Sequence, residues 1–159
     1  MPVILKRMNA GVPGDVTRKE SAVIEPNIAG ADIACGSFVK LSSGKVIPLA
    51  ASDTADVVYG LAVRMYPSQS ESDDFGGGVI LAGTVCDVLR SGYITVVLKQ
   101  GSSSRGGQVY VRVTADEDSK KYVGDIEAAA DSTNTVAVTG CVFMGAADEN
   151  GNTEIAYNI

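Results

Sequence analysis

The chain has 159 residues, a length typical of one domain with room for a hydrophobic core. Its formal net charge is −6, from 13 basic and 19 acidic residues, so a nucleic-acid partner, which requires a basic surface, is not expected. The sequence contains no histidine, which excludes the Ser-His-Asp, Cys-His and His-based zinc sites of many hydrolases. The composition therefore favours a binding protein or a structural protein over an enzyme, and we predict no cofactor.

The residue types favour strands and a reducing environment. Eighteen glycines, many β-branched residues and no long window rich in Leu, Glu and Lys indicate strands and turns. The three cysteines are widely spaced and form no CxxC pair, so we expect reduced, mostly buried thiols at Cys35, Cys86 and Cys141.

No apolar run approaches the ~20 residues of a membrane-spanning helix. Residues 1–5 are apolar, but the basic pair follows them, unlike in a signal peptide, so we expect assembly in a cytoplasm.

The first 20 residues differ in pattern from the rest of the chain. They contain two prolines, two glycines and four basic residues, without a sustained hydrophobic period. We predict an extended N-terminal arm over 1–20, ordered against a partner, and a single β-rich domain over 21–159. A frayed terminus without a role is the alternative for the arm.

From residue 21 onward the chain reads as short β-patterned segments separated by turn residues. The segments are 22–25, 37–41, 45–49, 56–66, 84–89, 93–98, 108–113, 136–144 and 154–157. Turn signals recur every 8–15 residues or so, which is typical of an all-β domain. We predict a compact β-sandwich or a barrel-like, β-tulip-like domain with little helix. One short helix is predicted over 125–130, where good helix formers cluster.

Three turns are predicted from glycine and asparagine. The triplet Ser42-Ser43-Gly44 is expected to join 38–41 to 45–47 in a hairpin, with Gly44 supplying a positive φ. The triplet Arg90-Ser91-Gly92 predicts a second hairpin between 84–89 and 93–98. The dipeptide Asn150-Gly151 predicts a type I′ turn that pairs 136–144 with 154–157.

Two longer loops interrupt the strands. The loop 67–78 is either a contact tip with Phe75 as its apolar anchor or a flexible surface excursion. Its acids Glu71, Asp73 and Asp74 are either a cation site or a solvated face. The loop 101–107 is predicted to be a solvated connector.

Candidate catalytic and metal motifs fail on spacing. The tripeptide Ser43-Gly44-Lys45 lacks the first glycine of a phosphate-binding loop and lies in a predicted hairpin. The alternating polar residues over 148–154 lack the glycine and the final glutamate of a calcium loop, so a turn explains them better. Scattered acids leave a glycosidase pair open, but nothing selects a pair and there is no tryptophan to stack a sugar.

Six phrases of the chain carry a family resemblance. They are GDVTRKESAVIEP (14–26), IACGSFVKLSSGKVIPL (33–49), VVYGLAVRMYP (57–67), VCDVLRSGYITVVL (85–98), GGQVYVRV (106–113) and TEIAYNI (153–159). In this order they resemble the tailed-phage capsid cement, or head-decoration, proteins, whose strand-rich domain carries a similar opening and middle. The loop 67–78 departs in length from the family pattern.

The resemblance implies a non-enzymatic structural protein of the phage virion. Such a protein is added to the outside of the head, often as a trimer, and stabilises contacts between capsomers of the major capsid protein. Neither nucleic acid nor a membrane is then a partner, and no cofactor or metal is implied. The residues expected to contact the capsid are the apolar arm anchors Val3, Ile4 and Leu5, the basic residues Arg7 and Arg18, and Phe75 at the loop tip.

Two alternatives remain at this point. One is another virion component, such as a tail or head-fibre attachment module. The other is a small carbohydrate-binding β-domain with a platform drawn from Tyr59, Tyr66, Tyr93, Tyr110 and Tyr122. Because these tyrosines lie inside strand phrases, core or interface packing explains them better.

Overall fold

The computed structural model describes residues 11–65 and 78–159. Its strands are β1 (Val23–Ile28), β2 (Ile33–Ala34), β3 (Phe38–Ser42), β4 (Lys45–Pro48), β5 (Gly60–Ala62), β6 (Val79–Ile80), β7 (Val85–Gln100), β8 (Gln108–Arg112), β9 (Ile126–Glu127), β10 (Thr135–Phe143) and β11 (Asn152–Tyr157). The helical elements of this part of the chain are two 3₁₀ turns, Lys19–Ser21 and Ala55–Val57. The predicted all-β class is confirmed.

Five strands close a barrel. β7 pairs with β11, β11 with β10, β10 with β8 and β8 with β9, all antiparallel, and β9 returns to β7 in parallel. Closure leaves no free sheet edge in this part of the molecule. The barrel alternative of the sequence prediction is therefore confirmed.

A second ring of strands includes the first half of β7. β1 and β5 both pair with β7, β5 continues to β3, and β3 pairs with β4. A parallel bridge between Ala29 and Val46 brings β4 back to the end of β1, and the Gly30 N–H donates to the Val46 carbonyl at 2.8 Å. β7 is thus common to both rings.

The two rings enclose separate hydrophobic cores. The barrel core includes Ile94, Val96, Val111 and Ile155, and the core of the second ring includes Ile33 and Val46. Three strands contribute to both cores because alternate residues point to opposite faces of a sheet. The neighbouring pairs that divide in this way are Phe38 and Val39, Leu61 and Ala62, and Leu89 and Val88.

β7 is one continuous strand with an irregularity, so the hairpin predicted at Arg90-Ser91-Gly92 is wrong. Ser91 pairs with Val23 and Leu89 pairs with Ile24, which leaves Arg90 as an extra residue in β7. Gly92 has φ +141°, a backbone conformation that other residues rarely adopt. The bulge shifts the alternation of side chains along β7. Even-numbered residues before the bulge face the second core, and even-numbered residues after the bulge face the barrel core.

Two other predicted elements are also corrected. The helix predicted over 125–130 is the short strand β9, whose backbone pairs with β7 and β8. Pairing on both sides outweighs the helix propensity of three consecutive alanines. The strand predicted over 56–66 is reduced to β5, preceded by a 3₁₀ turn.

The other two predicted hairpins are confirmed. Ser43 and Gly44 have φ values of 50° and 76°, as a two-residue turn between β3 and β4 requires. β10 and β11 pair as expected, but the type I′ turn predicted at Asn150-Gly151 is wrong, because Gly151 has a positive φ (82°) and Asn150 does not. The turn instead spans Asp148 to Gly151, and its side-chain acceptor is Asp148. The Asp148 carboxylate accepts hydrogen bonds from the backbone N–H groups of Asn150 and Asn152, both at 2.9 Å.

Part of the predicted arm lies on the domain. The Gly14 N–H donates to the Thr95 carbonyl at 2.9 Å, the Thr95 N–H to the Asp15 carbonyl at 2.9 Å, and the Thr17 N–H to the Tyr93 carbonyl at 3.1 Å. Residues 14–17 therefore run along β7 as a short antiparallel addition. The division into an arm over 1–20 and a domain over 21–159 stays a prediction.

Candidate interaction surface

The structure describes one of the six predicted contact residues. The other five lie outside the described residues: Val3, Ile4, Leu5, Arg7 and Phe75. Arg18 places its Nε 3.2 Å from Glu154 Oε1, and its guanidinium lies 4.0 Å from the centre of the Tyr93 ring. Its side chain is 49% exposed, so it remains reachable, but its charge already has a partner in its own chain. The role of Arg18 at a capsid surface stays a prediction.

The candidate tyrosines do not form an open platform. Tyr66 lies outside the described residues, and the other four lie on different elements of the chain. The ring of Tyr59 is covered by the Arg90 guanidinium at 3.7 Å, and that of Tyr93 is covered by Arg18. Sugar stacking needs a free aromatic face, so this arrangement disfavours a carbohydrate platform.

Tyr59 belongs to a polar cluster with Glu25 of β1 and Arg90 of β7. Its hydroxyl donates to Glu25 Oε2, and Arg90 Nε lies 3.8 Å from the same oxygen. The hydrogen bond to Glu25 raises the pKa of the Tyr59 hydroxyl. The cluster fixes β1 against the loop before β5 and leaves no unsatisfied charge.

A buried ion network ties the loop before β10 to the barrel. The Arg112 side chain is 1% exposed, and its guanidinium contacts Glu127 Oε1 at 2.5 Å and Asp131 Oδ2 at 2.6 Å. Hydrogen bonding to Glu127 and Asp131 raises the pKa of Arg112, and the bond from Arg112 lowers the pKa of Asp131. Every charge is paired, which indicates a structural role.

The described residues offer little for catalysis. They contain no group of three or more His, Cys, Asp or Glu side chains arranged to hold a metal ion. Burial raises the pKa of Cys86 to about 11 and also raises the pKa values of Cys35 and Cys141, so all three thiols are poor nucleophiles at neutral pH. In this part of the chain no helix is long and apolar enough to span a bilayer.

β1 exposes its apolar residues and turns its polar ones inward. Ile24 and Ile28 are each 41% exposed, and Pro26 between them is exposed as well. The alternate residues Glu25 and Asn27 are half-buried. Since a strand on a protein surface normally shows the reverse pattern, this inversion marks the outer face of β1 as a contact surface.

Neighbouring residues extend this face. Val85, 44% exposed, lies directly opposite Ile28 in the β1–β7 pair. Leu81, 60% exposed, begins the turn before β7, and that turn is held to Ala29 by the Gly83 N–H at 2.8 Å. We call the five residues Ile24, Pro26, Ile28, Leu81 and Val85 the apolar strip.

Pro26 also determines how the apolar strip can be used. Proline has no N–H to donate, and in the middle of a strand it prevents a further strand from pairing regularly at that edge. The strip is therefore suited to side-chain packing against a partner. Sequence reasoning missed it because alternation alone assigns Ile24 and Ile28 to the core.

Comparisons with known proteins show the family of the chain. A family model described as the XM1 gp53 minor capsid protein matches residues 1–157. The chain belongs to the XM1 gp53 minor capsid protein family. As a member of this family it is a structural protein of a phage capsid, located in the virion and associated with other capsid proteins. The resemblance to phage head proteins drawn from the sequence is confirmed at this level.

A solved structure shares the fold of this minor capsid protein. A chain from the capsid of Myoviridae phage XM1 superposes with a TM-score of 0.69 at 22% identity, covering 98% of this chain and 95% of that chain. No curated protein matches the sequence. Membership of the XM1 gp53 minor capsid protein family favours a non-enzymatic role.

Proposed function

We propose that this minor capsid protein is a decoration, or cement, protein that binds the outside of the phage head and stabilises contacts between capsomers of the major capsid protein. The observation that carries the proposal is the inverted pattern of β1, which exposes Ile24 and Ile28 to solvent. In a capsid-associated protein, the simplest occupant of such a face is another capsid subunit.

The apolar strip is small, and capsid symmetry compensates for its size. A strip of five side chains alone supports a weak contact. Repetition over a symmetric shell, and assembly of the protein as a homo-oligomer, for which we propose a trimer, multiply that contact into a stable attachment. The cement role thus needs no large interface in any one copy.

The N-terminal arm supplies a second proposed contact. We assign Val3, Ile4 and Leu5 as apolar anchors, Arg7 and Arg18 as contacts to an acidic capsid surface, and Phe75 as the anchor of the loop 67–78. Because residues 14–17 pair with β7, the arm is proposed to reach a partner through the residues before them and through the exposed side chain of Arg18, which follows them. Assembly onto the head takes place in the host cytoplasm in this proposal.

Co-sedimentation tests the proposal. The purified protein is mixed with mature, expanded capsids and with unexpanded procapsids of its own phage, and bound protein is measured in the pellet. Saturable binding to expanded capsids is expected. Binding to neither particle would contradict the decoration role and would favour a tail or head-fibre attachment module, with glycan-array binding as the check for a carbohydrate-binding domain.

A matched pair of variants tests the apolar strip. Val85→Glu places a charge in the strip, and Val57→Glu places the same charge at a valine of similar exposure outside it, 44% against 40%. We expect Val85→Glu to lose capsid binding and Val57→Glu to keep it, with both variants folded by circular dichroism. Equal binding by the two variants would exclude the strip as the contact surface.

A further inference from the structure

The turn between β10 and β11 places an asparagine–glycine pair at the protein surface. Asn150 is exposed at the tip of this turn, and Gly151 follows it with φ +82°. Asparagine followed by glycine is prone to spontaneous loss of the side-chain amide, because a glycine has no side chain to crowd its own backbone nitrogen. The turn therefore combines the two features that this reaction needs, a reactive pair and access to water.

The fold requires the glycine of this pair but not the asparagine. A Cβ at position 151 would lie 2.8 Å from the Leu98 carbonyl oxygen, and the positive φ of Gly151 disfavours any other residue. Asn150 has no positive φ, and the turn uses its backbone N–H, which every residue except proline supplies. The close approach of the turn to β7 therefore keeps the glycine in place, whereas position 150 can be substituted.

Deamidation of this pair needs only the chain and water. The Gly151 nitrogen, after losing its proton to a base in the solvent, forms a bond to Asn150 Cγ, and the side-chain nitrogen leaves as ammonia. Water then opens the cyclic imide. Breaking the bond between the nitrogen and Cγ gives aspartate, whereas breaking the bond between the nitrogen and the backbone carbonyl carbon gives isoaspartate. Either product carries a new carboxylate.

The native turn opposes ring closure. The Gly151 N–H donates to the Asp148 carbonyl at 3.0 Å, so the attacking nitrogen is already engaged. Asp148 Oδ1 accepts hydrogen bonds from the N–H groups of Asn150 and Asn152, both at 2.9 Å, and so holds the backbone on both sides of the pair. Ring closure requires these bonds to open, and an exposed turn opens locally more readily than the strands beside it. The rate therefore depends on how firmly Asp148 holds the turn.

We propose that Asn150 is a site of spontaneous deamidation whose rate is set by the hydrogen bonds of Asp148 in the same turn. A protein of the virion is not replaced after assembly, so a slow and irreversible change accumulates in its copies. Each conversion adds a negative charge beside Asp148 and Glu149, and isoaspartate also lengthens the backbone inside the hydrogen-bonded turn. The inference uses the location in the virion and does not depend on the decoration role.

Peptide mapping tests the site. The purified full chain is kept folded in a mildly alkaline buffer, digested at intervals and analysed by mass spectrometry, with labelling by an isoaspartyl methyltransferase as a second readout. Conversion is expected at Asn150 and not at Asn152, which begins β11 and is followed by Thr153. Asn150→Ser should remove most of the methyltransferase labelling. Conversion of Asn150 no faster than that of Asn152 would overturn the inference.

A matched pair of variants tests the role of Asp148. Asp148→Ala removes the acceptor of the turn, and Glu149→Ala removes the same charge from the next residue, which is exposed. We expect Asp148→Ala to deamidate about tenfold faster than the natural protein, the factor that corresponds to one hydrogen bond to a charged acceptor, and Glu149→Ala to keep the natural rate. Asp148→Asn keeps an acceptor oxygen without the charge and should fall between them. Equal rates in Asp148→Ala and Glu149→Ala would overturn the control by Asp148.

The unfolded chain sets the upper limit of the rate. In urea the natural protein and Asp148→Ala both lack the turn, so their rates at Asn150 should agree and should exceed the rate of the folded natural protein. This comparison does not require Asp148→Ala to fold. A folded natural protein that converts Asn150 as fast as the unfolded chain would show that the turn gives no protection, and the proposed control by Asp148 would be wrong.

Discussion

Arg112 is the largest fully buried side chain among the described residues, and its charge is neutralised by the carboxylates of Glu127 in β9 and of Asp131 in the loop that leads to β10. Burying such a network does not itself add much stability, because desolvation offsets the attraction. What it does is fix one arrangement of the loop, since any other arrangement leaves a buried charge unpaired. The partners lie 15 and 19 residues away, a separation that no sequence motif signals.

Removal of one partner tests this network. Glu127→Ala is expected to destabilise the protein by about 3–5 kcal/mol, because Arg112 keeps its charge and loses its principal acceptor. Urea unfolding followed by circular dichroism measures the change. The double variant Arg112→Met, Glu127→Leu should recover most of the loss. A single-variant cost below about 1 kcal/mol would mean that water reaches the network.

Asp131 gives the network a defined pH dependence. The hydrogen bond from Arg112 holds its folded-state pKa below the unfolded value, so its contribution is complete above the unfolded pKa of about 3.9 and is lost as the pH falls through the folded-state value. Asp131→Asn should therefore be less stable than the natural protein at neutral pH, with the difference closing in acid.

The control for this titration is Asp118→Asn. Asp118 is exposed in the loop between β8 and β9 and takes part in no ion pair among the described residues. Its substitution should leave the pH profile of unfolding unchanged. A difference between Asp131→Asn and the natural protein that does not shrink as the pH falls would show that the carboxylate charge is not the cause.

At the scale of elements, the sequence predicts those turns whose conformation is determined by neighbouring residues. The Ser43-Gly44 turn depends on residues adjacent in the chain and follows from the sequence. The pairing of β10 with β11 follows too, but not the type of turn between them, because eight residues join the two strands. The Gly92 signal was ambiguous, because a glycine with positive φ serves a turn or a bulge equally well. Only the partners of β7, from remote parts of the chain, decide between the two.

The same limit applies to the candidate surface. A predicted strand over 22–25 has no sequence signal for which face is covered, since the covering strands come later in the chain. Ile24 and Ile28 look like core residues until the pairing of β1 with β7 places them outside.

Gly92→Val tests the bulge in β7. A β-branched residue at φ +141° is strained, and a Cβ would lie 3.1 Å from Leu89 Cδ1 and 3.2 Å from Ala22 Cα. We expect a loss of about 3 kcal/mol or more, from backbone strain and crowding together. Ser91→Ala is the control, because it removes one hydrogen bond to the Asn158 carbonyl and should cost at most about 1.5 kcal/mol. Equal costs would contradict a special role for the bulge.

For the whole molecule, the shared strand makes two cores into one cooperative unit. β7 contributes Cys86 and Val88 to the second ring and Ile94 and Val96 to the barrel, so neither ring can open without disturbing a strand of the other. In the proposed cement role this arrangement is useful, because force applied to the part of the apolar strip on β1 and β7 would pass through β7 into the barrel.

Ile33→Ala tests this cooperativity from one side. Ile33 is fully buried in the second core, so its truncation should cost about 2–5 kcal/mol. If the rings unfold together, hydrogen exchange should accelerate by the same factor in β3 and β4 as in the slowest amides of β10 and β11, although the latter line the other core. Leu49→Ala, in the barrel core, should give the same uniform acceleration from the opposite side. Acceleration confined to β3 and β4 in Ile33→Ala would mean that the second ring opens separately, and that load applied at the apolar strip is not carried by the barrel.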